Sequence, residues 1–465
     1  MSAAPRLSAS TLARYSQDFC PQTRSEDQEG PRIVHFGIGA FHRAHQAWYT
    51  DRAAATGGQQ WAITGVSMRS AGVANQLNPQ NGLYSLSTCS AQGRSIEVVQ
   101  AVHNVLVATR ERDAVIAAIA SPHTHILTFT VTEKGYCRTS GGFLDLETAE
   151  QGSIYTLLED GLRRRAQNAC PGLTLLSCDN LSDNGRQLER LLLDFVTVRD
   201  ADLAAWIAKE CSFPNSMVDR IVPSTTDTDR ALAAETLGLI DEGAVVTEPF
   251  SQWVIENRFA GPRPAWDMVG AELVGDVAPY EMAKLRMLNG AHSALAYLGL
   301  ARGHAFVHEA VADPAIRPVV EMLMRNEAQP SIAATADQDL SHYANALLDR
   351  FANPALNHRL IQIAMDGSQK IPQRWLETLS YHQRQGRPCP AILTAVAAWR
   401  AHLRGDNMAI WGPVEDPMAD QLATLAQQDD AAFAEHMFGE AGLFSSYWTA
   451  DSASMSQLLQ ALGRV

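Results

Sequence analysis

Glu281–Leu300, EMAKLRMLNGAHSALAYLGL, reads from Met282 onward as a long helix that is apolar on nearly every side. A helix hydrophobic all round is a buried one, yet this one carries Glu281, Lys284, Asn289 and His292. At about 100° per residue these four fall within an arc of about 140°, shared with Leu285 and Leu288. Burying an unpaired ammonium or amide costs several kcal/mol. Polar groups converging on such a helix therefore need internal partners or a task. A Glu281–Lys284 ion pair at i, i+3 is the structural explanation; chemistry is the other. Lys284 to His292 spans about 12 Å along the axis, a gap that a flexible lysine shortens.

Upstream of this helix the pattern alternates between short apolar runs and helices. In RIVHFGIGAFHRAHQAWYTDRAAA, Arg32–Phe36 is predicted as a buried strand, Gly37–Gly39 as a tight turn and Phe41 onward as a helix. Strand, glycine turn and helix start are what receive a pyrophosphate, because small residues admit the backbone and free amides point at the anion. The pattern is GxGxF and lacks the third glycine of the usual fingerprint. Trp61–Val66 is the next predicted strand. The acidic residue that would meet a ribose there is absent, and Ser67–Met68–Arg69–Ser70 stands in its place, which leaves NAD and NADP both open. Asp113–Ala120 reads as a helix. His125–Val131 reads as a β-branched strand running out at Thr132–Glu133–Lys134–Gly135, where α/β sheets place ligand contacts. Leu173–Ser177 is a strand leading into Cys178–Asp179–Asn180; an N-cap or Asx turn is the bland reading of Asn180. Ala205–Cys211 closes a helix, Asp219–Arg220 lies among apolar residues, and Ala244–Thr247 is a further short strand. Residues 1–30 read as a polar N-terminal arm.

From Tyr280 the chain becomes almost unbroken helix. The sequence thus predicts an α/β, Rossmann-type dinucleotide-binding domain over 1–279 and a mostly helical domain over 280–465. One stretch of the helical half, Ala364–Arg374 (AMDGSQKIPQR), is predicted as a loop by its glycine and proline. It offers Lys370 and Arg374 to an anionic or polyhydroxylated substrate.

Composition narrows the function. The 465 residues carry a formal charge of −14, which argues against a nucleic-acid partner. No run of about 20 apolar residues exists to span a membrane. The N-terminus lacks a signal-type apolar core. Seven cysteines are scattered without a CxxC, which fits reduced thiols in a cytoplasm. His42 and His45 have metal-ligand spacing but no matching cluster, and no GxSxG elbow occurs. A nucleotide-binding half followed by a helix with a buried lysine suggests hydride transfer between a carbinol and a nicotinamide. That reaction needs a base for the hydroxyl proton and donors for the developing alkoxide, and a desolvated lysine has its pKa lowered toward the working range.

The segments IVHFGIGAFHRAHQA, TVTEKGYC, SCDN, MVDRIVP, EPFSQWVIENRF, KLRMLNGAHSALAYLG and IQIAMDGSQKIPQR resemble those of the mannitol dehydrogenase family, the polyol-specific long-chain dehydrogenases and reductases. The resemblance runs from Arg32 to about Trp411. It is strongest to the uronate-handling branch, the fructuronate reductases, or D-mannonate oxidoreductases. The K-x4-N-x2-H signature is met by Lys284, Asn289 and His292. By resemblance, Lys284 is the general acid/base, Asn180 and Asn289 bind the oxyanion, His292 orients the substrate, and Glu281 conducts the proton. Gly37, Gly39, Ala40 and Phe41 line the cofactor turn, with Thr132, Glu133, Asn180 and Asp219 as further cofactor contacts. Lys370 touches substrate, and Arg374 is added as a cation for a uronate carboxylate. The family uses no metal. The expected activity is NAD(P)-dependent interconversion of a keto sugar acid and its aldonate, D-fructuronate and D-mannonate. The alternatives are a neutral-polyol enzyme of the mannitol 2-dehydrogenase kind and a non-catalytic sensor.

Overall fold

Buried on both faces, RIVHF forms the strand Arg32–Phe36 at the centre of a five-stranded sheet. The computed structural model describes residues 4–15, 19, 30–139, 141–355 and 357–463. Contacts divide the chain into two units, Met1–Ala278 and Pro279–Val465. In the first unit the strands run, in spatial order, Val102–Val107, Ala62–Ser67, Arg32–Phe36, Thr124–Phe129 and Thr174–Ser177, all parallel. This is the doubly wound order, in which chain direction across the sheet reverses beside the first strand.

Parallel strands need cover on both faces, and two apolar layers supply it. One packs Phe36, Leu127 and Leu175 against residues of Arg112–Ala120, Ile154–Gln167 and Asn184–Thr197. The other packs Ile33, Ile63 and Val105 against Tyr49 of the helix Gln46–Ala55 and the fully buried Trp253 and Trp266. Two three-stranded sheets complete the unit. Ser216–Asp219 pairs antiparallel with Gln252–Glu256, which pairs with Glu272–Val274; Tyr84–Ser90 lies between Gly93–Val99 and Val245–Thr247. The predicted strands and helices of this half are present, Arg32–Phe36 with the same ends and the others with ends shifted by up to four residues. The helix expected from Phe41 starts at Ala40 and breaks at His45, giving Ala40–Ala44 and Gln46–Ala55.

The expected arm is partly folded in. Leu7 is fully buried, its amide bonds the Ile240 carbonyl, and Ala9–Tyr15 is helical. Cys20 and most of the remaining arm lie outside the described residues. In the second unit the helix Gly290–Ala301 is buried along nearly its whole length, packed against Leu360–Ala364 and Pro390–Leu403. No helix among the described residues is long and apolar enough to cross a membrane.

Candidate active site

The glycine turn sits where the sheet order reverses, the crevice in which α/β sheets bind ligands. Gly37 has φ +94°, and a Cβ there would lie 2.1 Å from the Thr130 carbonyl oxygen. Only glycine satisfies both demands. The Thr130 hydroxyl donates to the Gly37 carbonyl at 2.8 Å. Its single proton is thereby committed, so the contact from His35 Nε2 at 3.0 Å must be an N–H donor. His35 Nδ1 then accepts from Thr128 at 2.8 Å. Burial lowers the His35 pKa to about 3, which keeps this neutral tautomer in place. His42, stacked on His35 at 3.3 Å, is likewise held neutral by burial and then by the neighbouring His35. Gly39 caps the helix Ala40–Ala44 with no side-chain acceptor in the way. A cradle cleared of Cβ atoms at a strand end fits a dinucleotide pyrophosphate.

Asp179 gathers the neighbouring strand ends. It accepts from the amides of Val131 and Thr132 at 3.1 and 2.8 Å and from the Tyr136 hydroxyl at 2.9 Å. Burial raises its pKa, against the pull of those donors. Asn180, the next residue, is exposed at the carboxyl end of Thr174–Ser177. Thr132 and Glu133 are exposed on the adjoining turn, Thr132 with φ +64°. The hydroxyl of Ser216 bonds the Ser177 carbonyl at 2.6 Å, which sets the strand carrying the buried Asp219 beside the same edge. Arg220 donates to the carbonyls of Ala44 and Glu248, so it braces the helix behind the glycine turn. Gly37, Thr132, Asn180 and Asp219 thus share one end of the first unit. Asp179 and His35 were missed by the sequence reading. Asp179 was visible only as the neighbour of Asn180, and His35 looked like an ordinary strand residue.

The helical half corrects one expectation. The helix is not uniform from Met282: Ala278–Ala283 is α, Lys284–Asn289 is a π turn, and Gly290–Ala301 is α again. The Gly290 amide reaches the Leu285 carbonyl, five residues back. In an α-helix residues i and i+5 stand about 140° apart. An i→i+5 pairing moves the fifth residue toward the place held by i+4 in an α-helix. Lys284 and Asn289 are five apart, so the π turn narrows the arc that separates them. His292 follows three residues later on α-helix. It is 8% exposed, its Nε2 has no hydrogen-bond partner among the described residues, and its ring packs on Phe351 and His358. Burial, then His358, Arg350 and Arg374, hold its pKa well below the usual value, so the ring is neutral.

The predicted loop Ala364–Arg374 is the second correction. Leu360–Ala364 and Gly367–Ile371 are α-helices and Pro372–Leu376 is another π turn. Pro372 marked a break in the sequence because proline removes an i→i−4 bond; here it falls at the first position of the π turn, where that pairing changes. Lys370 Nζ donates to the Met365 carbonyl at 2.6 Å and lies 3.9 Å from Asp366. Burial and then Arg374 lower its pKa. Arg374 donates to the Asn289 carbonyl at 3.3 Å and to Ser293 Oγ at 2.7 Å. Its pKa is lowered to about 10 by burial. Trp375 and Arg286, both missed from sequence, join these pieces. Trp375 Nε1 donates to the Gly290 carbonyl at 3.0 Å. Arg286 reaches Ser331 and Glu377. Neither had a sequence signal, since partners 45 to 91 residues away have no local pattern. Among the described residues no cluster of three or more His, Cys, Asp or Glu is arranged to hold a metal.

Comparison with known proteins bears on both units. The model of the mannitol dehydrogenase Rossmann domain matches residues 31–268, and that of the mannitol dehydrogenase C-terminal domain matches 276–464. The chain is 42% identical to the uncharacterized oxidoreductase YeiQ of Escherichia coli (strain K12), over 85% of this chain and 83% of that protein. It is 38% identical to the D-mannonate oxidoreductase of the same organism, over 89% of each. The solved Pseudomonas fluorescens mannitol 2-dehydrogenase, a ternary complex with NAD and D-mannitol, is 32% identical with a TM-score of 0.80, covering 99% of this chain and 96% of that one.

Proposed function

The chain belongs to the mannitol dehydrogenase family, and from that premise we propose that it is an NAD-dependent reductase of a keto sugar acid, with D-fructuronate and D-mannonate as its substrate pair. The observation that carries the reading is the π turn, which narrows the arc between Lys284 and Asn289 one turn before the neutral, buried His292. A nicotinamide cofactor, when bound, gives or takes the hydride. Gly37, Gly39, Ala40 and Phe41 would hold its pyrophosphate, with Thr132, Glu133, Asn180 and Asp219 as further contacts. In reduction, Lys284 Nζ donates the proton to the substrate oxygen, and the amide N–H groups of Asn180 and Asn289 donate hydrogen bonds to it. The lysine recovers its proton through Glu281, one turn earlier. Neutral at working pH, His292 can accept or donate to a neighbouring hydroxyl without adding charge.

An anionic substrate is favoured by the cations around His292. Arg350 and Arg374 both depress its pKa, and Arg374 in turn depresses that of Lys370. A carboxylate entering such surroundings offsets part of their desolvation. The second reading is a neutral-polyol enzyme, favoured by the likeness to the mannitol 2-dehydrogenase complex. A cytoplasmic location is part of this proposal, supported by seven cysteines scattered in the sequence without a CxxC.

Initial rates of NADH and NADPH oxidation with D-fructuronate and with D-fructose test the proposal. A kcat/KM at least about 10²-fold higher for fructuronate, about 2.7 kcal/mol of transition-state discrimination, is the expected result. A preference for fructose moves the protein to the polyol reading. Arg69, exposed just beyond the second strand, makes the NADPH arm worth running, though NAD is the expected cofactor.

A further inference from the structure

Among the described residues three π turns occur in the helical unit, Lys284–Asn289, Leu323–Ala328 and Pro372–Leu376, and the first packs on the other two. A π turn is rare and leaves the carbonyls at its ends poorly aligned with their usual donors. Here two consecutive carbonyls where the first turn rejoins α-helix, those of Asn289 and Gly290, receive side-chain donors from consecutive residues of the third. Arg374 donates from Nη1 to the Asn289 carbonyl and to Ser293 Oγ, and the fully buried Trp375 gives its indole N–H to the Gly290 carbonyl. The backbones also close in, the Arg374 carbonyl lying 3.4 Å from where a Cβ on Gly290 would stand.

We propose that Arg374 and Trp375 are positioning residues for the reaction: they hold the backbone of Asn289 and Gly290 so that the Asn289 amide keeps its register with Lys284. This rests on the roles given above to Lys284 and Asn289. It also replaces the expectation that Arg374 serves chiefly as a carboxylate ligand, since at least one of its N–H groups is committed to the helix.

The experiment compares wild type, Arg374→Ala, Arg374→Lys and Trp375→Phe for kcat and KM with D-fructuronate and D-fructose. NADH Kd and thermal melting are measured alongside. A displacement of about 1 Å at a reacting group costs about 10²-fold in rate. Arg374→Ala is therefore expected to lose about 10²-fold in kcat on either substrate, with KM and NADH Kd within about threefold. Trp375→Phe keeps the ring and removes only the donor; it is expected to lose about 10-fold in kcat. Arg374→Lys should recover part of the alanine loss. A rise in KM confined to fructuronate, with kcat kept, makes Arg374 a carboxylate ligand and overturns the proposal. Unchanged kcat in Trp375→Phe overturns it as well, even if Arg374→Ala does not fold. Lys284→Ala, run in parallel, separates the two ideas. If it keeps its turnover, the reading of the site fails; if it loses turnover while the Arg374 and Trp375 variants do not, only the positioning role fails.

Discussion

The glycine turn of the first unit and the π turn of the second, at which we propose the cofactor and the substrate are met, both depart from regular backbone, but by opposite means. At Gly37 the shape is local: a left-handed φ and a strand end 93 residues away that leaves no room for a Cβ. One residue type meets those demands, so the turn is written in five letters of sequence. At Lys284–Asn289 no residue type demands the π turn. Of its letters, KLRMLN, all but the last asparagine are good α-helix formers, and donors from Arg374 and Trp375 bond the carbonyls at its end. A motif carried by backbone sterics is readable alone. A motif carried by packing is not.

Three measurements would break or sharpen that contrast. The largest effect is expected from Lys284→Ala, a kcat loss of about 10²–10⁴, the range for general acid/base groups; NADH Kd should not move. Turnover near the wild-type level would remove the side-chain chemistry from the π turn. Gly37→Ala should do the reverse, raising NADH Kd by about 10–100-fold through a backbone conformation that costs about 1–3 kcal/mol in any other residue. Isothermal titration would show it, and an unchanged Kd would mean that the turn does not set cofactor affinity.

The smallest effect concerns acid. His35 has its folded pKa lowered to about 3, below the unfolded value near 6.5. Between those values the unfolded chain binds more protons, so this residue's contribution is full above pH 6.5 and is lost as pH falls. Each unit of descent costs about 1.4 kcal/mol at most. Denaturant melts from pH 6.5 to 5.5 should show this slope, and His35→Gln should flatten it. An identical slope in the variant would mean that His35 is not the group held neutral beneath the turn.

How much was legible follows the same division. Arg32–Phe36, the strand after it and the run into Asn180 were readable because strand burial and glycine turns are properties of short windows. Lys284, Asn289 and His292 were readable as residue types converging on one arc of about 140°, since polar groups on an apolar helix stand out and α-helical spacing is about 100° per residue. The narrower arc that the π turn gives Lys284 and Asn289 was not readable. The predicted loop at Ala364–Arg374 failed for a related reason. Glycine and proline were read as a break, whereas Pro372 opens a π turn inside continuous helix.

The sequence by itself determined the two-part plan, the glycine cradle and the list of chemical groups, because each depends on neighbours within a few residues. Only the tertiary structure decided that Asp179 ties the strand ends at Thr132 to the loop of Asn180, and that His35 buttresses Gly37 as a neutral ring. It alone decided that the buried helix carrying Lys284 changes its pitch between Lys284 and Asn289. The physical reason is that an i→i+5 turn gives up regular pairing for donors that lie 85 residues further along the chain.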